Sequence, residues 1–415
     1  MDKKTILFVG GGYEAVPGVR QAAALGYNAI VLDRDADAPC VEFASDFIEG
    51  DVYDSQNALR ALENYKGKLS IDGVVTIGCD APGTVARLSA FLGLKSMSME
   101  TARLATNKLL MKDSLAAGGV PVPEYLSIGS LAQLKESIEA GRVYVLKPVD
   151  NRGARGVLRI DGDVDLDWAY RHSSSYSISD KSLLLESWVS GEQISAESVV
   201  YNGRAGLVAA AHRGYERTTR FYPYIIEDGG ETPADLSAKV LKDIDDVLGK
   251  AAAAIGLESG TLKGDLVVTP EGRVVVIEVA ARLSGGNFCT VNIPRVYGVD
   301  LIEASIRIAT GEGLDLDKYL RPSTCYVANR YLFLEPGRVD SIRFDKDISG
   351  IAGVIYWKLN VAVGDVIKGV TDHTKRHGTV ISYAPTKEAA IAIAEDALNS
   401  IEVVLGTDGN GIERE

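Results

Sequence analysis

The sequence predicts a multidomain α/β protein with an open parallel α/β domain at its N-terminus, a two-part α+β region and a small C-terminal α+β domain. Three observations predict this class. The chain has 415 residues, which is long for one core and indicates two to four domains. Residues 1–96 alternate apolar strands, glycine turns and helical stretches, as parallel sheets do. Later apolar runs are joined by short turns, which is typical of antiparallel hairpins.

Composition narrows the function classes. The net charge of −13 argues against a general nucleic-acid or anionic-membrane surface. Four cysteines lie far apart without metal-type spacing, which favours unpaired thiols in a reducing compartment. No apolar run approaches the roughly 20 residues that cross a bilayer, and the first residues lead into a strand without the apolar segment of a signal peptide. We therefore expect a cytoplasmic protein with neither a nucleic-acid nor a membrane partner.

The first motif is a strand, a glycine turn, a helix and a second strand ending in an acid. Thr5–Val9 precedes Gly-Gly-Gly-Tyr-Glu-Ala, and Asp33 ends the next apolar run. This order is typical of a dinucleotide-binding unit. Any parallel sheet also needs glycine where a strand turns tightly into a helix. A further strand at 73–77 and a helix at 84–92 complete the predicted domain.

A glycine-rich basic loop at 150–157 follows a strand that one lysine interrupts. An amphipathic helical stretch is predicted over 100–118 and carries Lys108, by itself an ordinary surface lysine. After it, Lys147 lies within the apolar strand 143–149. Glycines let backbone amides converge on a phosphate, and lysine or arginine supplies charge. A flexible hairpin is the alternative reading.

Two further segments have two readings each. The segment 186–193 begins with the acid Glu186 and offers accessible backbone groups, which suit an adenine edge or a domain hinge. His212 and Arg213 end an apolar strand at 207–211. We hypothesise that they bind the acid end of a substrate, although a solvated loop would look the same.

The stretch 261–286 predicts a β-hairpin with one acid in each strand. Apolar runs flank a Thr-Pro-Glu-Gly turn. With the loop at 269–272, Asp265 lies opposite Val276, and Glu278 is one diagonal step away on the same face. Diagonal neighbours are roughly 7 Å apart, which lets two carboxylates share metal ions.

The same face is predicted to present Lys263, Ala280 and Arg282, because strand side chains alternate with period two. Two acids and two bases on a half-buried face need a reason, since buried charge is costly unless paired or metal-bound. Two surface salt bridges and a magnesium-phosphate site both satisfy this requirement.

Taken in order, these motifs resemble the ATP-grasp superfamily and, more loosely, its dipeptide-forming L-amino acid ligase branch. The resemblance covers roughly residues 1–400. It implies ATP-grasp architecture with a Rossmann-like domain at 1–96, a helical linker and lid subdomain at 97–190, a catalytic subdomain at 191–324, a closing domain at 325–407 and a tail at 408–415.

The resemblance also implies roles for single residues. ATP and Mg²⁺ (or Mn²⁺) are the expected cofactors, Asp265 and Glu278 match the metal carboxylates, and Arg282 and Lys263 match the bases beside the transferred phosphoryl group. The expected nucleotide-binding residues are Lys108, Lys147, Gly153, Arg155, Gly156, Glu186, Ser187, Val189 and Gln193. The expected substrate residues are His212, Arg213, Gly285, Gly286 and Asn287.

Two positions depart from the family pattern. Gln193 stands where the family usually has a glutamate for the ribose, and Ala280 stands where it commonly has an asparagine as third metal ligand. The ligase branch tolerates alanine there. Because alanine supplies no oxygen ligand, a second magnesium ion is expected to be held more loosely.

The implied activity is an ATP- and Mg-dependent carboxylate-amine ligase that forms an amide, as a dipeptide or amino-acid conjugate, through an acyl phosphate. Its partners would be a small-molecule carboxylate and amine, and we expect a homodimer. The alternatives are an NAD(P)-dependent oxidoreductase that uses the N-terminal glycine unit and an ATP-grasp enzyme that makes a carboxyphosphate or purine precursor. The sequence names neither the acid nor the amine.

Overall fold

The computed structural model describes residues 3–67, 69–179, 181–215 and 218–406, which fall into two compact units. The tail expected at 408–415 lies outside the described residues. The first unit combines the described residues of Met1–Pro123, Val189–Ala210 and Ala234–Pro322. The second unit combines those of Glu124–Trp188, Ala211–Pro233 and Ser323–Glu415.

The elements are numbered in chain order. The strands are β1 Thr5–Val9, β2 Asn28–Asp33, β3 Asp46–Glu49, β4 Gly73–Val75, β5 Tyr125–Ile128, β6 Tyr144–Pro148, β7 Leu158–Ile160, β8 Leu183–Ser187, β9 Glu192–Tyr201, β10 Arg204–Gly214, β11 Gly229–Thr232, β12 Gly260–Val268, β13 Val274–Ala280, β14 Tyr326–Leu332, β15 Gly337–Phe344, β16 Val354–Leu359, β17 Val366–Ile367, β18 Gly378–Ala384 and β19 Ile401–Gly406. The α-helices are α1 Val16–Ala24, α2 Ser55–Glu63, α3 Pro82–Leu92, α4 Met99–Thr106, α5 Lys108–Ala117, α6 Leu131–Ser137, α7 Leu166–Ser175, α8 Thr218–Phe221, α9 Ala238–Ala254, α10 Ile293–Tyr297, α11 Leu301–Ala309 and α12 Lys387–Asn399.

The N-terminal sheet of the first unit is parallel, with strand order β3-β2-β1-β4. Every residue of β1 is buried, which is why its apolar run does not alternate with polar residues. The strand expected over 73–77 ends at Val75, and Ile77 instead forms a parallel bridge with Leu283. The predicted open parallel α/β domain is confirmed.

The helical stretch predicted over 100–118 consists of two helices, and the sequence pattern did not show the break between them. α4 ends one residue before Asn107, and α5 begins one residue after it. The Asn107 side chain accepts hydrogen bonds from the backbone N–H groups of Leu109 and Leu110. These groups lack partners at a helix N-terminus. The amphipathic spacing of the sequence continues across this break, so the sequence pattern does not reveal it.

The antiparallel part of the first unit contains β13, β12, β9 and β10 as consecutive neighbours. Asn202 and Gly203, both with positive φ, form the turn between β9 and β10, as an Asn-Gly pair predicts. Helices α5 and α9 pack against these strands, and Leu248, Leu266 and Val276 lie in the shared core. One face of the sheet is therefore apolar, which leaves the opposite face for charged side chains.

The second unit contains antiparallel strands in three sets. Its sets are β5-β8-β6-β7, then β11-β14-β18-β16, and β17-β15-β19. The sequence predicts a last helix from about Lys387 to Leu405, but the helix ends at Asn399, and 401–406 form β19. This error has a simple cause, because Ile-Glu-Val-Val-Leu has strand propensity. The predicted mixed α/β class is confirmed. No helix within the described residues is both long and apolar enough to span a bilayer.

We expect Asn107→Ala to lower the free energy of unfolding by about 1 kcal/mol, because it removes the acceptor that caps α5. Asn107→Ser keeps a capping oxygen and should lose only a fraction of that amount. Urea denaturation followed by circular dichroism measures both variants. Equal losses in the two would mean that the cap contributes nothing.

Candidate active site

Asp265 and Glu278 lie directly opposite each other on neighbouring strands. β12 pairs with β13 so that Asp265 faces Glu278, and with β9 so that Asp265 faces Ser195 on its other side. Residues in register point to the same face of a sheet. The prediction that the two acids share a face is confirmed.

The predicted pairing of Asp265 with Val276 was wrong, because β13 contains a β-bulge. Leu266 pairs with Val276 but Asp265 pairs with Glu278, so Ile277 is an extra residue in β13. Such an insertion leaves no mark on the apolar pattern. It brings the Cβ atoms of the acids to roughly 5 Å, instead of the roughly 7 Å of diagonal neighbours.

Two lysines balance the opposed carboxylates, which would otherwise repel each other. Lys263 Nζ lies 2.6 Å from Asp265 Oδ2, and Lys108 Nζ lies 3.3 Å from Glu278 Oε1. Lys108 is the first residue of α5, and its side chain is 8% exposed. The helix is fastened to β13 one turn later, where Lys112 Nζ donates to the Val276 carbonyl at 3.1 Å. This anchor aims Lys108 at Glu278, since residues i and i+4 share a helix face.

A second row of this face contains an acid that the sequence analysis missed. Lys263 pairs in register with Ala280 on β13 and with Glu197 on β9. Glu197 is fully buried, and its Oε1 accepts a hydrogen bond from the Ser284 backbone N–H at 3.3 Å. Burial raises the pKa of Glu197 to about 7, although Ser284, Lys263 and then Arg282 oppose the rise. The available signal was a lone acid within the predicted apolar strand 194–201.

Arg282 lies just beyond β13 and pairs with Asp80, another acid that the sequence analysis missed. Its Nε donates to Asp80 Oδ1 at 3.1 Å, and its Nη1 donates to the Leu283 carbonyl at 3.1 Å. Burial disfavours the charge, but neighbouring carboxylates, led by Asp80, outweigh burial and raise the pKa of Arg282. The guanidinium is therefore a fixed positive charge beside the two rows.

The predicted substrate loop is held by Glu14 of the N-terminal glycine-rich turn. Gly286 and Asn287 have left-handed φ values of 66° and 62°. The backbone N–H of Gly286 donates to Glu14 Oε1 at 3.0 Å. A Cβ atom on Gly285 would lie 2.4 Å from Glu14 Oε2, so glycine leaves room for this carboxylate. Residues so far apart in sequence are brought together only by the fold.

Cys289 is arranged as a structural thiol. It is buried, and its Sγ donates to the Ser284 carbonyl at 2.8 Å. Burial first, and then the charges of Glu197 and Glu14, raise the pKa of this thiol well above its usual value. Since the thiolate is the nucleophilic form, this environment argues against a covalent role.

The glycine pattern near the N-terminus serves the fold. Asp33 Oδ2 accepts a hydrogen bond from the Gly11 backbone N–H at 2.7 Å, and Oδ1 accepts one from the Asp35 backbone N–H at 3.1 Å. In a dinucleotide site the acid would bind the ribose. Here both oxygens of Asp33 accept backbone N–H groups of the protein itself. This structural role weakens the oxidoreductase alternative.

In the second unit, Lys147 and Glu186 form a buried ion pair. Lys147 Nζ lies 2.6 Å from Glu186 Oε2, and the two side chains are 5% and 2% exposed. A buried charge without a partner costs much free energy. Each of these two side chains can therefore be buried because the other neutralises it. The sequence analysis predicted both as nucleotide-binding residues but not their contact.

The predicted phosphate-covering loop at 150–157 has a special backbone. Gly153, Ala154 and Gly156 have left-handed φ values of 67°, 61° and 71°. A Cβ atom on Gly156 would lie 2.9 Å from Tyr176 Cβ. Arg155 is half-buried in this loop. The glycines therefore permit a conformation that few side chains tolerate.

The predicted linker residues have different surroundings. Ser187 Oγ accepts a hydrogen bond from Arg142 Nη2 at 2.9 Å, and Val189 is half-buried. Gln193 pairs with Val267, so it lies on the same face of β9 as Ser195. Gln193 thus begins the polar face on which Asp265 lies.

His212 and Arg213 both have acidic partners in the second unit. His212 Nδ1 lies 3.3 Å from Glu231 Oε2, and Arg213 Nη2 donates to Glu227 Oε2 at 2.6 Å. The Glu227 carbonyl also accepts from Arg376 Nη2 at 2.8 Å. Glu227, which no sequence pattern singled out, neutralises the arginine predicted to bind an acid.

The donor set fits a magnesium ion that is completed by a phosphate ligand. The described ranges contain no cluster of three or more His, Cys, Asp or Glu side chains able to hold a metal. Asp265 and Glu278 supply two carboxylates in register. Mg²⁺ is usually bound by one or two carboxylates together with substrate phosphates. Two carboxylates are enough for a magnesium ion that also binds phosphate, but too few for a metal ion held entirely by protein side chains.

Two family models match the chain. The ATP-grasp domain model matches residues 142–291, and the model of L-amino acid ligase C-terminal domain 2 matches residues 330–406. Residues 142–291 therefore form an ATP-grasp domain. ATP-grasp ligases are ATP-dependent enzymes that form carbon-nitrogen bonds and use a divalent metal.

Several known proteins are similar to this chain over most of its length. The chain is 28% identical over 375 residues to the uncharacterized protein y4rH of Sinorhizobium fredii, covering 86% of this chain and 74% of that one. It is 22% identical to an L-arginine-specific L-amino acid ligase of Bacillus subtilis, covering 82% of each chain. A crystal structure of an L-amino acid ligase from Bacillus licheniformis superposes with a TM-score of 0.83 at 16% identity, covering 98% of this chain and 99% of that one. The chain thus contains an ATP-grasp domain and is similar to ligases of the L-amino acid ligase kind.

We expect Glu197→Gln to stabilise the protein at high pH. The folded pKa of Glu197 is about 7 and its ordinary value is 4.5, so the folded state binds this proton more tightly, and its stability falls as pH rises from 4.5 through 7. The variant should gain up to roughly 3 kcal/mol at pH 8. The gain should vanish near pH 4.5, and denaturation at pH 8, 6.5 and 5 measures it. A gain that does not change with pH would contradict the raised pKa.

Proposed function

We propose that this protein is an ATP- and magnesium-dependent ligase that joins the carboxylate of one small molecule to the amine of another, forming a dipeptide or amino-acid conjugate through an acyl phosphate. The observation that carries the proposal is the pairing of Asp265 with Glu278, with Lys108, Lys263 and Arg282 beside them. This group has the acids and bases that phosphoryl transfer to a carboxylate needs.

The chemistry explains why ATP is required. A carboxylate is a poor electrophile because oxide would have to leave. Its oxygen attacks the γ-phosphorus of ATP, the bond to the β-phosphate oxygen breaks, and ADP leaves. The amine nitrogen then attacks the acyl carbon, phosphate leaves, and the nitrogen loses a proton to give the amide. Both products besides the amide, ADP and phosphate, can be measured.

In this mechanism the protein positions reactants and neutralises charge. Asp265 and Glu278 would hold Mg²⁺, which would offset the negative charge of the triphosphate. Arg282 would stabilise the phosphoryl group as it moves, since its charge is fixed by Asp80. Lys263 would assist from the adjacent row. We retain the predicted nucleotide roles of Lys108, Lys147 and Glu186 as part of the proposal.

The second candidate within the superfamily makes a carboxyphosphate or purine precursor by the same phosphoryl transfer. The match of residues 330–406 to an L-amino acid ligase domain favours an amino-acid substrate. The deciding experiment is release of phosphate from Mg-ATP across a panel of amino acids and other carboxylates, with mass spectrometry of the products. Activity with bicarbonate and with no amino acid would favour the second candidate.

We expect Arg282→Ala to lower kcat by roughly 100- to 1,000-fold, because it removes a fixed charge from the transition state. The Kd for Mg-ADP should change by less than about threefold, since the charge is needed only as the phosphoryl group moves. Steady-state kinetics and calorimetry measure the two quantities. Arg307→Ala, on α11 and paired with Glu303, is the control. An equal fall in binding and turnover would contradict the role.

We expect Asp265→Asn and Glu278→Gln to reduce the magnesium dependence of nucleotide binding. Each variant removes one charge from the proposed metal site, so thermal stabilisation by ADP should gain little from added Mg²⁺. Glu100→Gln, on the exposed face of α4, should behave as the wild type. Wild-type magnesium dependence in both site variants would refute the metal assignment.

A further inference from the structure

We propose that Glu197 is a positioning residue of the phosphoryl-transfer site, holding Lys263 and the loop at 283–286 in place beside Asp265 and Glu278. This inference rests on the proposed function. Glu197 pairs in register with Lys263 and so shares its face of the sheet. It also accepts the backbone N–H of Ser284 at 3.3 Å. One carboxylate therefore lies in register with Lys263 and accepts a hydrogen bond from the loop beside the proposed site.

Folding stability does not explain an acid at this position. Glu197 is fully buried, and within the described ranges its Oε2 makes no hydrogen bond of ordinary geometry. Burying a charge costs free energy, and a neutral side chain of similar size is often more stable in its place. Residues that weaken the fold are characteristic of functional sites. The acid is therefore best explained by an effect on its neighbours.

The first effect concerns Lys263. Its ammonium contacts Asp265 at 2.6 Å, and Asp265 is also a proposed metal ligand. A carboxylate that also binds a metal ion attracts its lysine partner less strongly. Glu197, the register partner of Lys263 on β9, supplies a second counter-charge that a metal at Asp265 does not use. Lys263 thus keeps its place on the charged face whether or not a metal ion is bound at Asp265.

The second effect concerns the loop. Glu197 holds Ser284 from β9, while Glu14 holds Gly286 from the N-terminal turn. Hydrogen bonds to an ionised acceptor are stronger than neutral ones. Two carboxylates therefore fix the backbone immediately after Arg282, whose side chain is itself held by Asp80. Loss of one anchor should loosen the loop and misplace the guanidinium.

Glu197→Gln tests this role because it keeps an acceptor for Ser284 and removes only the charge. At pH 8 we expect kcat to fall roughly 10- to 100-fold, with the KM for Mg-ATP changed less than about threefold. Glu197→Asp should recover part of the loss. Ser198→Ala, the next buried residue of β9 on the opposite face, should retain wild-type kcat. A wild-type kcat in Glu197→Gln would overturn the inference.

The pH profile separates positioning from simple packing. The charged and titratable groups facing Glu197 are Lys263 on β12 and, beyond β13, Arg282 and Cys289. All three are present in both proteins, so the ratio of wild-type to Glu197→Gln kcat isolates Glu197. The pKa of about 7 predicts that this ratio falls toward 1 between pH 8 and pH 6. A constant ratio would assign the loss to packing.

Hydrogen exchange keeps this test independent of the proposed function. The amides of the peptide covering 283–287 should exchange several-fold faster in Glu197→Gln than in Ser198→Ala, with and without Mg-ADP. Unchanged exchange would refute the positioning role even if the enzyme were active. If the wild type releases no phosphate with any acid and amine, the proposed function fails, and exchange still decides whether Glu197 holds the loop.

Discussion

The candidate site depends on the pairing of β12 with β13 and β9. This register places Asp265, Glu278, Lys263 and Glu197 on one face while the apolar side chains of the same strands enter the core. Because side chains alternate with period two, a slip of one residue in β12 would bury these charges among Leu248 and its neighbours. The hydrophobic face therefore fixes the register, and the register fixes the site. The bulge at Ile277 adds the direct opposition of the two acids.

Charge balance is the second constraint on this face. Each charged group of the proposed site has a counter-charge close by: Asp265 has Lys263, Glu278 has Lys108, and Arg282 has Asp80. The same principle governs the second unit, where Lys147 and Glu186 form a buried pair. Such pairs add little to stability by themselves, but removing one member is costly. They hold the charged side chains in place by direct contact.

The N-terminal glycine-rich turn contributes to the site in an unexpected way. Asp33 closes the turn on itself through Gly11, whereas Glu14 reaches the loop after β13. A sequence pattern shared with dinucleotide-binding units is thus used to hold a loop beside Arg282. Glycine at 285 is explained by the same contact, since a Cβ atom there would collide with the Glu14 carboxylate.

The sequence by itself determined the fold class, the order of the elements and the residues that carry most of the proposed chemistry. Alternation, turn residues and charges within apolar runs are local signals, and they were sufficient for the parallel N-terminal sheet and for Asp265 and Glu278 on one face. The tertiary structure alone decided the bulge, the break at Asn107, and the approach of Glu14, Asp80 and Glu197 to the loop after β13. These features depend on contacts between residues up to 272 positions apart, and no periodic pattern encodes which distant backbone N–H group a carboxylate will meet.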